Sequence, residues 1–229
     1  MIPEDPSLFR YHLPMNQLLL RSDEFQTALN SILNVGTFAL LDDTPKHLIC
    51  ANACLLALDH AKSARILFSD DAPNFATGLL RLQYLALLRA AWVLYAANDL
   101  QISKLAAQLG SHAMQVANNS PEPAEMFKAL EAIAPIEVIQ PLNEFKAVAL
   151  EALNDFVPEG IDTLMRIKEA LPEVLVLQLI RNSNGLIYFG YRMLASLNGS
   201  QALMNQMNQM KHLHGTFADC FPPPTTINR

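Results

Sequence analysis

Two stretches of the chain set groups capable of chemistry among apolar neighbours. The first, PNFATGLLRLQYLALLRAAWVLYAAN from Pro73 to Asn98, carries Arg81 and Arg89 among its leucines. A guanidinium buried in such a helix is costly unless it is paired, so both arginines demand partners. At about 100° per residue, Arg81 shares a face with Leu85, Leu88 and Trp92, and Arg89 lies about 80° away. One reading lays each aliphatic stem over apolar neighbours and pairs its head with a carboxylate, Asp59, Glu24 or Asp99, or with a helix C-terminus. The other opens an anion or phosphate pocket between helices, formed by Arg81, Arg89 and Arg181. The carboxylate pairing is the favoured expectation.

The second stretch is Arg181-Asn182-Ser183-Asn184-Gly185, which interrupts the apolar run VLVLQLIRNSNGLIYFGY. Buried polar groups must be hydrogen-bonded, so the break marks either an internal polar network or a pocket. Gly185 and Gly190 would let another helix approach closely, at some cost in helix propensity.

Other chemistries have less support. His47, Cys50 and Cys54 share one face of a helix, with His60 further along, and His212, His214 and Cys220 cluster near the C-terminus. Zinc accepts such ligands, but structural sites use paired ligands from tight loops, and buried thiols behave as small hydrophobes. The His47, Cys50 and Cys54 set is therefore a weak metal candidate. There is no Gly-x-Ser-x-Gly elbow, phosphate loop, dinucleotide fingerprint or Glu-x-x-His pair, so no cofactor is expected. Asp42–Asp43 and Asp70–Asp71 fall at helix ends, where capping and turn roles suffice. Near the C-terminus, Leu203, Met204, Met207 and Met210 form a stripe. Core packing explains it best, and a soft interface through Met204, Met207 and Met210 is the alternative.

The elements that must position these groups are all helical. Pro14, Pro45, Pro73, Pro121, Pro141, Pro158 and Pro172 each precede a helix-like apolar pattern, and proline suits a first helical turn. Thr44 and Ser120 supply N-cap side chains. No alternating run or hairpin turn signals a strand. The expected helices are Met15–Val35, Pro45–Phe68, Asn74–Asn98, Leu100–Ala117, Pro121–Ile133, Leu142–Phe156, Glu159–Leu171, Glu173–Leu197 and Ser200–Leu213. This is an all-α bundle of about nine helices, whose first, second, third and eighth form a four-helix core. Residues 1–213 read as one helical domain, with 118–171 as a helical insertion. Residues 214–229 read as an extended tail, with Pro222–Pro224 biased to polyproline II.

Composition narrows the function classes. The 229 residues are 51% hydrophobic and only 17% charged, below the usual quarter or so, so much of each helix must be covered by another. A net charge of −6 argues against a broad nucleic-acid surface. The N-terminus, MIPEDPSLFRYHLPMN, lacks a charged-then-apolar leader. The best membrane-span candidate, Leu79 to Ala97, holds both arginines. Three cysteines make no disulfide framework. The expectation is a soluble, cytoplasmic protein without a membrane partner.

The stretch LDHAKSARILFSDDAPNFATGLLRLQYLALLRAAWVLYAAND, Leu58 to Asp99, has the form L-x-R-x-x-Y-x-x-x-x-R-x-x-W over its second helix. It resembles uncharacterised bacterial helical families related to the HEPN superfamily, whose core is a four-helix bundle. In those relatives a glutamate often sits where this chain has Leu85, which removes the obvious partner for the arginines. HEPN ribonucleases carry Arg, a polar residue and a histidine further along the same helix. Arg181-Asn182 matches the opening, but the histidine positions hold Leu186, Ile187 and Tyr188. The resemblance thus implies a HEPN-like bundle without the standard catalytic set. Neither Arg181 nor Tyr188 replaces imidazole as a base near neutral pH. The first expectation is a non-catalytic binding protein acting as a homodimer or with a protein partner. Its alternatives are a divergent ribonuclease or nucleotide-acting protein using Arg181, Asn182 and Tyr188, with RNA a less favoured partner, and a sensor of a small anionic ligand.

Overall fold

Proline and reciprocal capping set where the helices begin. In a computed structural model describing residues 13–34, 38–110, 121–147, 171–212 and 214–222, the long helices are α1 (Met15–Leu33), α2 (Pro45–Ser69), α3 (Pro73–Tyr95) and α7 (Glu173–Asn198). The shorter ones are α4 (Asp99–Gly110), α5 (Pro123–Ile133), α6 (Ile136–Phe145), α8 (Gln201–His212) and the single turn α9 (His214–Phe217), followed by a 3-10 turn, Ala218–Cys220. Thr44 Oγ1 accepts the His47 amide at 3.3 Å at the head of α2, with Pro45 in its first turn. Asn98 and Gln101 cap α4 reciprocally, each side chain accepting the other's amide, at 3.0 and 2.9 Å. α1 ends on Asn34 and α7 on Gly199, both left-handed.

The four long helices share one core. α2 and α3 form a hairpin turned at Asp70–Ala72, lined by small residues such as Ala57, Ala61, Ala64, Ala90 and Ala91 that bring the two axes close. α7 lies across α1, α2 and α3 and is buried over most of its circumference. Gly190 permits that approach, since a Cβ there would sit 3.3 Å from Leu87 and 3.6 Å from Leu58. Gly185 does not serve it, because a Cβ there would meet nothing within 4 Å. That corrects the expectation that both glycines relieve helix crowding. α5 and α6 join the same core through Met126, Phe127, Leu130, Leu142 and Phe145, with Phe145 stacked on Tyr84 at 5.3 Å.

Three expectations are corrected. α5 starts at Pro123 rather than Pro121, because Glu125 accepts the amide of Glu122 and fixes the first turn there. Pro141 lies inside α6 instead of ahead of a helix, leaving the Glu137 carbonyl without its usual intrahelical donor. The tail is not extended from residue 214. It stays helical to Cys220, because Ala218 and Cys220 are buried and Phe217 and Phe221 pack on Phe25, at 5.4 and 5.2 Å between ring centres. The expected helix Glu159–Leu171 up to residue 170, the 148–156 part of Leu142–Phe156, the 111–117 end of the fourth helix and the tail from residue 223 lie outside the described residues.

Candidate functional site

The polar strip of α7 faces the C-terminal turn. Arg181, Asn182, Ser183 and Asn184 are all buried, and each donates a hydrogen bond within the fold. Arg181 Nε donates to the Asp219 carbonyl at 3.2 Å, and Asn184 Nδ2 donates to the Cys220 carbonyl at 3.0 Å and to Ser22 Oγ at 2.8 Å. Ser22 in turn donates to the Leu18 carbonyl at 2.7 Å. Asn182 Nδ2 reaches back to the Gln178 carbonyl at 2.9 Å. Ser183 and Gln83 bond reciprocally, the hydroxyl to Gln83 Oε1 at 2.7 Å and Gln83 Nε2 to the Ser183 carbonyl at 3.1 Å.

Arg21 on α1 completes this cradle. Its Nε donates to Asp219 Oδ2 at 2.8 Å, its Nη1 to Glu24 at 2.5 Å and its Nη2 to the Thr216 carbonyl, while the guanidinium lies 4.9 Å over the Phe217 ring. Asp219, foremost through its hydrogen bond, holds the Arg21 pKa above the usual range. Burial, assisted by Asp219, pushes the Cys220 thiol up to about 12. The arrangement grips a peptide by its carbonyls. The hydrogen bonds described for Arg181 and Asn182 run to backbone carbonyls, Asp219 and Gln178, rather than to a histidine.

The two arginines of α3 differ in their surroundings. Arg89 is exposed and so has no need of a buried partner, and Arg81 is half-buried and engaged with its surroundings. Glu24 pairs with Arg21, and Asp59 and Asp99 are exposed. The arginine that is buried in the hairpin is Arg65 on α2, 7% exposed, with its Nε 2.8 Å from Asp23 Oδ1 and its Nη2 on Gln26.

The metal candidates do not assemble. Cys50 and Cys54 are wholly buried, and the Cys54 thiol is pushed up, first by its hydrogen bond with Cys50 and then by burial. His47 Nδ1 turns instead to the Asp42 carbonyl, 3.2 Å away. Among the described residues no three potential ligands converge. The side chains of His212 and His214 lie outside those described.

A groove opens beside the strip, between α6, α7 and α8. Its main cavity, about 290 Å³, is bordered by Gly185, Tyr188, Arg192, Pro141, Glu144 and Met210. A second, about 200 Å³, lies against Tyr95, Arg192, Glu137 and Met204. Tyr188 donates to the Met207 carbonyl at 2.9 Å, and burial raises its phenol above the ordinary range. The methionine stripe is thereby divided. Met207 is wholly buried in the core and cannot present an interface, while Met204 and Met210 are half-buried walls of the two cavities.

A model of a protein family matches residues 54–223, three quarters of the chain, from α2 through the C-terminal turn. The chain belongs to DUF6988, a family of unknown function. No curated protein and no solved structure matches it. The DUF6988 match spans both the α7 strip and the residues bordering the groove, and it begins within α2, beyond Arg21 and Ser22 of α1.

Sequence reasoning missed Arg65, Arg192 and the acidic face of α6. Arg192 carried the same signal as Arg81, a lone cation among MLASL and GY on an apolar helix, and stands one turn after Tyr188. Glu137, Pro141 and Glu144 follow an i, i+4, i+7 pattern that puts them on one face. Arg65 had Asp23 and Gln26 as partners some forty residues away, which no local pattern reveals.

Proposed function

We propose that this DUF6988 protein works by binding rather than by catalysis, as a helical protein that pairs with a second copy of itself. One observation carries this reading. Along the outer face of α3, Phe75 is 75% exposed and Leu82 46% exposed, with Arg89 exposed one further heptad on. Large exposed apolar side chains in a line mark interaction surfaces.

The spacing is self-complementary. Phe75 and Arg89 are each seven residues from Leu82, so an antiparallel two-fold pairing of α3 centred on Leu82 sets Phe75 opposite the partner's Arg89. A guanidinium over an aromatic ring is favourable, by about 0.5–1 kcal/mol where exposed. Gly78, whose absent Cβ has no neighbour within 4 Å, keeps the flank of this face shallow. α2 adds exposed Leu48, Leu55 and Ile66 at a similar helical period. Free thiols at all three cysteines agree with a reducing, cytoplasmic setting. Among the described residues no helix is long and apolar enough to cross a membrane.

Light scattering at micromolar concentration tests the pairing. The expected mass is twice the 25.4 kDa of one chain, falling to one chain in Leu82→Glu. A wild-type monomer at that concentration overturns the reading.

A second reading, a divergent HEPN-like bundle acting on RNA through Arg181, Asn182 and Tyr188, draws support from the four long helices sharing a core. Against it, Arg181 is only 5% exposed and its Nε is held by the Asp219 carbonyl. It requires that wild-type protein cleave RNA and that Arg181→Ala abolish cleavage without unfolding.

A further inference from the structure

We infer that the groove between α6, α7 and α8 is a binding site for a small amphipathic carboxylate. Its acid group would sit on Arg192 and its tail against Phe189, Met210 and the bare backbone of Gly185. Three observations converge on this site, and none of them concerns the outer face of α3.

The first is Arg192. It borders both cavities, its Nε is buried without a hydrogen-bond partner, and none of the ion pairs among the described residues includes it. Leaving a buried guanidinium N–H unsatisfied is unfavourable, so a positioned anion has a gain to make here.

The second is Gly185. Glycine in a helix interior is less favourable than alanine, and Gly190 offsets that by admitting Leu87 and Leu58. Gly185 has no such neighbour. Its side faces the main cavity, so the missing side chain leaves room for something that is not part of the protein fold.

The third is the lining. Phe189, Met210, Phe221 and Pro141 supply apolar walls, and a cavity near 290 Å³ is at the lower end of small-ligand sites. The charges select the head group. Among the described residues Arg192 is the one cation bordering the two cavities, while Glu137 and Glu144 stand on the α6 side. A monoanionic carboxylate matches one guanidinium in bidentate fashion and meets less repulsion from the two glutamates than a phosphate dianion would. The hydroxyl of Tyr188 is committed to Met207 and directs its ring, rather than its proton, at the ligand.

Calorimetric titration of the full chain with octanoate, octylamine and inorganic phosphate tests the site. Octanoate is expected to bind saturably at one per chain, and octylamine and phosphate are not. Arg192→Gln should weaken octanoate at least about tenfold, the loss of a charge-assisted pair. Gly185→Leu should abolish binding by filling the cavity while leaving the melting temperature unchanged or raised, so the site is testable even if Arg192→Gln fails to fold. Octanoate affinity unchanged in Gly185→Leu, absence of saturable binding to the wild type, or octylamine or phosphate binding as tightly as octanoate overturns the assignment. Chain pairing is read separately by light scattering, so either proposal can fail without the other.

Discussion

Asn184 Nδ2 donates to the Cys220 carbonyl at 3.0 Å, tying the middle of the longest helix to the last turn of the described chain. The same nitrogen holds Ser22 of α1, so one amide joins three elements far apart in sequence. The polar break in α7 is therefore a clasp for the chain's own C-terminal turn.

Asn184→Ala should be strongly destabilising, because it strands the Cys220 carbonyl and removes a bond to Ser22 in a site only 1% exposed. The expected loss is about 1–3 kcal/mol, the cost of an unsatisfied buried group. Urea unfolding measures it. A loss within about 0.5 kcal/mol, typical of a surface site, would contradict the clasp.

The two glycines of α7 should respond in opposite directions. Gly185→Ala should stabilise by about 0.5–1 kcal/mol, since alanine is the better helix former and its Cβ meets open space. Gly190→Ala should destabilise, because its Cβ would press on Leu87 at 3.3 Å. Paired thermal melts decide the sign of each.

Arg65 should be replaced more easily by methionine than by alanine. Its head is paired with Asp23, which is 63% exposed in its side chain, so that ion pair contributes little. Its stem, by contrast, is buried, and Met keeps that volume while relieving the unpartnered Nη1. The expectation is that Arg65→Ala loses at least about 1 kcal/mol more than Arg65→Met, by the usual cost of deleting buried methylenes. Equal losses would show that the charge, not the stem, matters.

Stability should fall as the medium becomes alkaline. The Cys220 thiol has an ordinary value of 9.0 and is pushed up to about 12 in the fold. The folded state therefore keeps a proton that the unfolded chain releases. That contribution is complete below pH 9.0 and is lost progressively up to about pH 12. Tyr84, raised by burial from 10.0 to about 12, adds to the same decline. Denaturation midpoints from pH 8 upward should decline, and Cys220→Ala should flatten the first part of the slope. An unchanged slope in that variant would remove Cys220 as a cause.

Much of the helix plan could be read from local signals, because prolines and caps act within one turn. Pro45 and Pro73 head their helices as expected, while Pro141 misled because tertiary burial of Val138, Leu142 and Phe145 carries α6 through it. The demand for buried partners falls away at Arg89, which is exposed. Periodicity placed Arg81 and Arg89 on different faces, yet only the packed structure tells which face looks outward. The polar strip was legible as a network or a pocket, but its occupant was not, since Arg181 and Asp219 are separated by a whole helix and a turn. Arg192 escaped notice because its significance lies in the residues of α6 and α8 around it.

The bond between Arg21 and Asp219 links positions 198 residues apart. Synthesis makes α1 well before the turn that covers it, so Phe25 and Ser22 must wait, uncovered, until Phe217 to Phe221 have emerged. The hairpin of α2 and α3 can form from neighbouring segments, but closing α1 against Ala218–Cys220 must wait until that turn has been made. A chain cut before Phe217 would leave bare an aromatic and polar seam on α1 and α7 that the closed clasp hides.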